Sequence, residues 1–170
     1  VPKATAKKLI SMGVIDDVIL TYTKNSAVFK SDEYTIYTRL IEGKYFAYQK
    51  MFTEGEINTC ASRTALIGAM TRAKMCTEEK QPAVFQIEDD VLNISIRDKL
   101  ADYQEQVPLQ ETVCKSIRLG FDSRLVLETL KAFTCDNIAL GFTSPRTPMI
   151  VEAEDSDMKA MVLPVAIREA

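Results

Sequence analysis

Amphipathic segments begin at Pro2, Ser62 and Asp122, about 60 residues apart, and a spacing this regular implies one structural unit used three times. In Pro2–Met12, Ala6, Leu9, Ile10 and Gly13 fall on one helical face while Lys3, Lys7 and Lys8 fall on another. In Ser62–Cys76 the apolar stripe is Leu66, Ala69, Met70 and Ala73, with Ser62 placed to cap the helix start. In Asp122–Phe133 the stripe is Val126, Leu127, Leu130 and Phe133, and the cap is Asp122 or Ser123. Each segment leads into alternating stretches that read as strands, such as Val18–Tyr22, Ala27–Phe29 and Tyr34–Leu40. Lys24-Asn25-Ser26 and Ser31-Asp32-Glu33 are polar breaks of hairpin length, and Glu88-Asp89-Asp90 and Glu154-Asp155-Ser156-Asp157 take that part later in the chain. Extra strands, Glu56–Ala61 and Val113–Leu119, lead into the second and third helices. Moving the first copy along by 120 residues puts Ala6 on Val126, Ile10 on Leu130, Asp16 on Asp136, Val18 on Ile138, Leu20 on Leu140 and Tyr22 on Phe142. The fold class is therefore α+β: a helix followed by a three-stranded antiparallel meander, repeated, with the helices on one face of the sheets. A boundary is expected near Lys50–Gly55, between the first copy and the other two.

Absences narrow the chemistry. The 170 residues include no His and no Trp, which removes the commonest general base and the commonest zinc ligand. Cys60, Cys76, Cys114 and Cys135 have no metal-ligand spacing and read as reduced cytosolic thiols. The six glycines never approach a phosphate-binding loop. A Ser or Cys nucleophile would have only Lys or a carboxylate as its base, and no spacing supports such a pair. The acidic clusters at Glu88–Asp90 and Glu152–Asp157 read as solvated hairpin tips rather than metal or acid–base sites. No enzyme and no cofactor is expected. The longest apolar runs, Thr64–Thr71 and Met161–Ile167, fall short of the roughly 18 residues that suggest a membrane span. Met161–Ile167 reads as a core strand, with a binding groove as the alternative. The chain opens on Val1 without an initiator Met, the expectation for a piece of something longer.

The net charge of −3 argues against a chain that coats nucleic acid everywhere, yet it permits a local basic surface. Lys3, Lys7, Lys8, Arg63, Arg72, Lys74, Arg124 and Lys131 all fall on the three repeated helices. Side by side, those helices would present one positive surface able to meet phosphates without reading bases. The plainer alternative is a set of solvated helix faces.

Several motifs, in order and spacing, resemble the bacterial sliding clamp family, the beta subunit of DNA polymerase III. They are Val1-Pro2-Lys3 before a helix, Leu40-Ile41-Glu42-Gly43-Lys44-Tyr45 with Tyr48, and Leu119-Gly120-Phe121-Asp122 leading into Leu130-Lys131-Ala132-Phe133. Cys135-Asp136-Asn137-Ile138, Thr143-Ser144-Pro145-Arg146-Thr147-Pro148 and Leu163-Pro164-Val165 extend the likeness over almost the whole chain. It departs from the family at Phe46-Ala47, where Pro-Asp is usual, at Ala166, where Arg is common, and in Arg168-Glu169-Ala170 beyond the usual end.

The resemblance implies the DNA clamp fold, with residues 1–52 as the second half of the middle domain and 53–170 as the third domain. It implies a non-catalytic cytoplasmic processivity factor, a homodimeric ring in the full-length protein, around duplex DNA held without sequence preference, with no membrane partner. The eight helix cations would then face DNA. It also implies an apolar pocket for linear peptides of DNA polymerase and clamp-loader subunits, walled by Lys50, Met51, Leu125, Arg146, Pro148, Met161, Val162, Leu163, Pro164 and Val165. Met75 and Cys76 would lie at the ring interface, against a first domain that this chain lacks, so the chain alone is not expected to close a ring. The alternative reading is a clamp-like interaction module that does not encircle DNA.

Overall fold

The computed structural model describes residues 1–12, 17–45, 47–76, 81–97, 102–153 and 157–167. Gly13 and Asp16 of the first repeat, Phe46, Glu154–Ser156 of the second acidic cluster and Arg168–Ala170 lie outside the described residues. The chain forms two compact units, Val1–Ala47 and Tyr48–Ala170.

The first unit is helix α1 (Lys3–Ser11) with a sheet of strands β1 (Ile19–Tyr22), β2 (Ser26–Lys30) and β3 (Thr35–Arg39) in sequence order. Antiparallel pairing sets Leu20 opposite Phe29 and Phe29 opposite Ile36, and Tyr22 opposite Ala27 and Ala27 opposite Thr38. Directly opposed residues share a sheet face, so these six lie together. The helix sits on that face: the hydroxyls of Thr5 and Thr38 are 2.8 Å apart, and Ala27 and Thr38 are buried. The expected apolar stripe of this helix is not buried, however. Ile10 is 80% exposed, Ala6 is exposed and Leu9 is only half-buried. One nine-residue helix over three short strands offers too little surface to cover its own apolar face.

The second unit opens with a short 3-10 turn, Tyr48–Met51, and a six-stranded antiparallel sheet in the order β5-β6-β4-β7-β8-β9. Its strands are β4 (Ile57–Ser62), β5 (Ala83–Arg97), β6 (Asp102–Phe121), β7 (Asn137–Phe142), β8 (Met149–Ala153) and β9 (Lys159–Val162). Helix α2 (Arg63–Met75) starts where Ser62 Oγ accepts from the Ala65 N–H, and α3 (Ser123–Ala132) where Asp122 Oδ1 accepts from the Arg124 N–H at 2.8 Å. These caps satisfy amide groups that a helix start leaves orphaned. The two helices pack against one another, α2 also touching β4, β5 and β6 and α3 touching β9. Leu66, Ala69, Met70 and Ala73 meet Val126, Leu127, Leu130 and Phe133 in one contiguous core with the inward residues of the sheet. Phe85 and Phe121 meet edge to face within it, at 5.1 Å between ring centres.

Four expectations are corrected here. The middle repeat has two long strands rather than a three-stranded meander, and the expected separate strand Val113–Leu119 is the end of the 20-residue β6. Glu88-Asp89-Asp90 is not a hairpin tip but lies inside β5, where the pairing register shifts on both sides of Asp89. Asp89 takes φ 52°, a left-handed conformation that Asp tolerates better than most residues. An irregularity of this kind bends a strand without ending it, so β5 continues on to pair with the first half of β6. A polar triplet reads alike in a turn and in a bulge. The terminal apolar run is likewise not one core strand: β9 ends at Val162, and Leu163 and Val165 are exposed. Pro164 has no N–H to continue a ladder, and the chain instead crosses to β6, where the Val165 N–H donates to the Gly120 carbonyl at 2.8 Å.

Candidate functional site

The helices carry their eight cations in two different ways. Lys3, Lys7 and Lys8 are exposed on α1, as are Lys74 near the end of α2 and Lys131 in the last turn of α3. The three arginines each meet an acceptor of the chain, although the Arg72 and Arg124 side chains stay more than half exposed. The Arg63 side chain donates to the Cys135 carbonyl, and Arg124 Nε is 3.7 Å from Asp122 Oδ1. Arg72 makes a two-pronged contact with the Glu105 carboxylate, its Nε donating at 2.8 Å to Oε2 and its Nη2 to Oε1. The Tyr103 hydroxyl completes this cluster, donating to Glu105 with the Ala69 carbonyl 2.9 Å away.

Arg72 holds the Glu105 carboxyl below the usual carboxylate range, chiefly through these hydrogen bonds, and Glu105 in turn raises the Arg72 guanidinium. Burial, reinforced by the Glu105 charge, pushes the Tyr103 phenol up to about 12. The cluster ties α2 to β6. It also means that Arg72 reaches any polyanion already neutralised. Sequence reasoning singled out Arg72 but not Glu105 or Tyr103. They lie 33 and 31 positions further on in an alternating strand, and nothing in their spacing marks them.

An open cleft of about 420 Å³ lies where the terminal segment crosses β6. Arg118, Leu119 and Gly120 of β6, Pro145 and Arg146 of the β7–β8 turn, and Pro164, Val165, Ala166 and Ile167 line it. The turn is fixed by its own polar groups. Ser144 N–H donates to Thr147 Oγ1 at 2.9 Å, Thr147 Oγ1 donates to the Ser144 carbonyl at 3.0 Å, and Arg146 N–H donates to Ser144 Oγ at 3.3 Å. Such side-chain-locked turns present Pro145 and Arg146 rigidly. Gly120 is required for the crossing, since a Cβ there would stand 2.8 Å from the Val165 carbonyl oxygen.

Of the ten residues expected at a peptide pocket, Arg146, Pro164 and Val165 line this cleft. Leu125 and Leu163 are more than half exposed, Lys50 and Met51 are exposed in the 3-10 turn, and Pro148 and Met161 are half-buried. Val162 is in the core, at 3% exposure. The cleft residues missed in the sequence are those of β6 together with Pro145, Ala166 and Ile167, which only the crossing brings together. A broader concavity of about 1140 Å³ runs over the outer face of β5 and β6, walled largely by polar side chains including Gln86, Asn93, Ser95, Gln104 and Gln106. At the end of α2, Met75 is 83% exposed, and Cys76 is half-buried as the helix C-cap.

Among the described residues no group of three or more Cys, Asp or Glu is placed to hold a metal ion. No described helix is long and apolar enough to cross a membrane.

An antiparallel sheet backed by paired helices, with one such repeat again in the first unit, is the DNA clamp fold, and solved sliding clamps share it. The DNA polymerase III beta subunit of Pseudomonas aeruginosa matches with a TM-score of 0.90 at 20% identity, over 98% of this chain and 47% of that one. The sliding clamp of Caulobacter crescentus matches with a TM-score of 0.86 at 15% identity, over 96% and 44%. Residues 52–166 match the family described as DNA polymerase III beta subunit, C-terminal domain, and the chain belongs to that family. The beta sliding clamp of Staphylococcus aureus is 24% identical over 155 residues, 88% of this chain and 41% of that protein. The chain thus spans less than half the length of these relatives.

Proposed function

We propose that this chain is the C-terminal portion of a bacterial DNA sliding clamp, a non-catalytic, cytoplasmic processivity factor. In this reading residues 1–52 are the second half of a middle domain and 53–170 a complete third domain. The helix cations, from Lys3, Lys7 and Lys8 to Lys131, face duplex DNA, and contacts to phosphates alone would hold it without fixing its register. Polymerase and clamp-loader subunits would dock short linear peptides on the surface formed by Leu125, Arg146, Met161, Leu163, Pro164 and Val165. Met75 and Cys76 belong to the homodimer contact of the longer protein.

The observation that carries the docking role is the open cleft at the Gly120–Val165 crossing, with rigidly held Arg146 on one side and exposed apolar residues on the other. An apolar surface with a few polar anchors suits a short peptide whose Leu and aromatic side chains supply most of the affinity. The test is titration of a fluorescent peptide, Gln-Leu-Ser-Leu-Phe, onto the chain, onto a Leu163→Glu variant and onto a Met161→Glu, Leu163→Glu double variant. Saturable binding that weakens roughly tenfold or more in the variants supports the assignment, that factor being the scale of one hot-spot contact. Equal binding by all three proteins would refute it.

A further inference from the structure

The cleft at the Gly120–Val165 crossing opens at its far end into a second hollow. Arg118 and Ile167 line both the cleft and the concavity of about 1140 Å³, so the two meet where the terminal segment passes over β6. Both halves of the bent β5–β6 hairpin contribute to the larger hollow. On one side of the irregularity at Asp89 stands the cross-strand pair Gln86–Arg118, and on the other stand Asn93–Gln106 and Ser95–Gln104. Strand alternation puts them there. Phe85, Ile87, Leu92, Ile94 and Ile96 turn into the core, and their neighbours take the opposite face. Gln86, Asn93 and Ser95 are half-buried although they belong to that outer face, because the hollow walls them in. Its size exceeds the roughly 300–1,000 Å³ of a small-molecule site, and it is open along its length, which suits a stretch of extended polypeptide better than a compact ligand.

We propose that the residues on the N-terminal side of a docked peptide motif continue past the crossing and lie extended in this hollow, where side-chain amides bind their backbone and Arg118 selects a carboxylate among them. The inference rests on the cleft as the docking site. Polarity sets the direction: the Leu-Phe end of a motif such as Gln-Leu-Ser-Leu-Phe belongs against Met161 and Leu163, so its Gln end points along the terminal segment toward Val165 and Ile167. The chain before that Gln then enters the hollow. There Gln106 Nε2 donates to Asn93 Oδ1 at 3.0 Å, which fixes both amides and leaves the Asn93 NH2 and the Gln106 carbonyl oxygen to pair with a peptide group. A donor beside an acceptor recognises main chain whatever its sequence. Charge adds the preference. Among the described residues, Arg97, Arg118 and Glu105 are the charged residues that line the hollow, and both oxygens of Glu105 are taken up by Arg72 and Tyr103. Arg97 stands opposite Asp102 in the ladder, whereas Arg118 stands opposite Gln86 at the junction of the two hollows. An arginine carries five donors, enough to take a ligand carboxylate in addition to a neighbour within the chain. Four extended residues before the motif add about 13 Å of reach, at about 3.3 Å each.

The test titrates three fluorescent peptides onto the chain: Gln-Leu-Ser-Leu-Phe alone, the same peptide preceded by Ser-Glu-Ser-Glu, and the same peptide followed by Ser-Glu-Ser-Glu. The peptide extended at its N-terminus should bind about tenfold more tightly than the pentapeptide, the scale of one or two charge-assisted contacts, and the peptide extended at its C-terminus should not. Arg118→Glu should abolish that gain and transfer it to a Ser-Lys-Ser-Lys extension, and Asn93→Ala, Gln106→Ala should reduce it for both. Arg118, Gln104 and Gln106 are exposed, and an unchanged far-UV circular dichroism spectrum would show that the variants fold. A pentapeptide whose binding is lost in Leu163→Glu but whose affinity no extension improves overturns this inference and leaves the docking site standing. An equal gain from either end, or a gain that survives Arg118→Glu, is general attraction to the chain and overturns it too. If none of the peptides binds, the docking reading falls and this one falls with it.

Discussion

The 120-residue correspondence allows one substitution to be made twice at equivalent places in the repeat, with very different expected costs. Leu130 is 1% exposed, wedged in the core that α3 shares with α2 and the sheet. Leu130→Ala removes three carbon atoms and leaves a cavity in a close-packed core, at a cost of about 3 kcal/mol within a usual range of 2 to 5. With a urea dependence of about 2 kcal/mol per molar, that lowers the unfolding midpoint by about 1.5 M. Ile10 is 80% exposed, so Ile10→Ala removes little buried surface and should shift the midpoint by less than about 0.3 M. Urea unfolding followed by circular dichroism at low micromolar concentration measures both. Equal shifts in the two variants would mean that α1 is as well packed as α3 and would refute the reading of the first unit as an uncovered repeat.

Gly120→Ala places a methyl group 2.8 Å from the Val165 carbonyl oxygen and 3.0 Å from Ile167, so the terminal segment must move; peptide titration should show weaker binding with little change in the Ala83–Phe121 hairpin, and unchanged affinity would remove the crossing from the site. Of the six tyrosines, Tyr103 should ionise late, near pH 12 instead of 10, in an absorbance titration. Its neutral form is favoured by the fold, so that contribution to stability is present below pH 10 and is lost as pH rises through 12; Tyr103→Phe should delete the late phase, and a late phase that persists would reject the assignment. Glu105→Gln releases Arg72 from its charged partner, and the log-log salt slope of duplex DNA binding should steepen by about 0.9, the value of one further phosphate contact; an unchanged slope would place Arg72 away from the DNA.

The helices were legible because their signals are local. A 3.6-residue apolar stripe and a cap at Ser62 or Asp122 fix α2 and α3 to within a residue. The same local reading overstated α1, whose stripe is as regular but buries no residue: periodicity reports what a helix could bury, and burial needs enough facing surface. Glu88-Asp89-Asp90 misled for a related reason. Polarity marks a break in a strand's alternation, but whether the chain turns back or bends and continues is decided by its pairing with β6. Arg146 and Pro164 could be singled out from motif likeness, whereas the cleft that contains them exists only because Pro164 ends the ladder and Val165 meets Gly120. Contacts that long in sequence leave no periodic trace.

The division of labour among the cations follows from the shapes of their side chains. Arginine presents a rigid planar fork, and each of the three helix arginines engages an acceptor of the chain, namely the Cys135 carbonyl, Asp122, and in two prongs Glu105, while the Arg72 and Arg124 side chains remain more than half exposed. Lysine is a compact charge on a flexible stem, and all five helix lysines are exposed. A surface of mobile point charges attracts a phosphate backbone without offering the bidentate geometry that would hold it in one register. Fixed guanidinium forks aimed outward would create preferred resting positions along the duplex. Engaging Arg63, Arg72 and Arg124 with acceptors of the chain limits such fixed forks, which in the proposed clamp would favour movement along the duplex over one register.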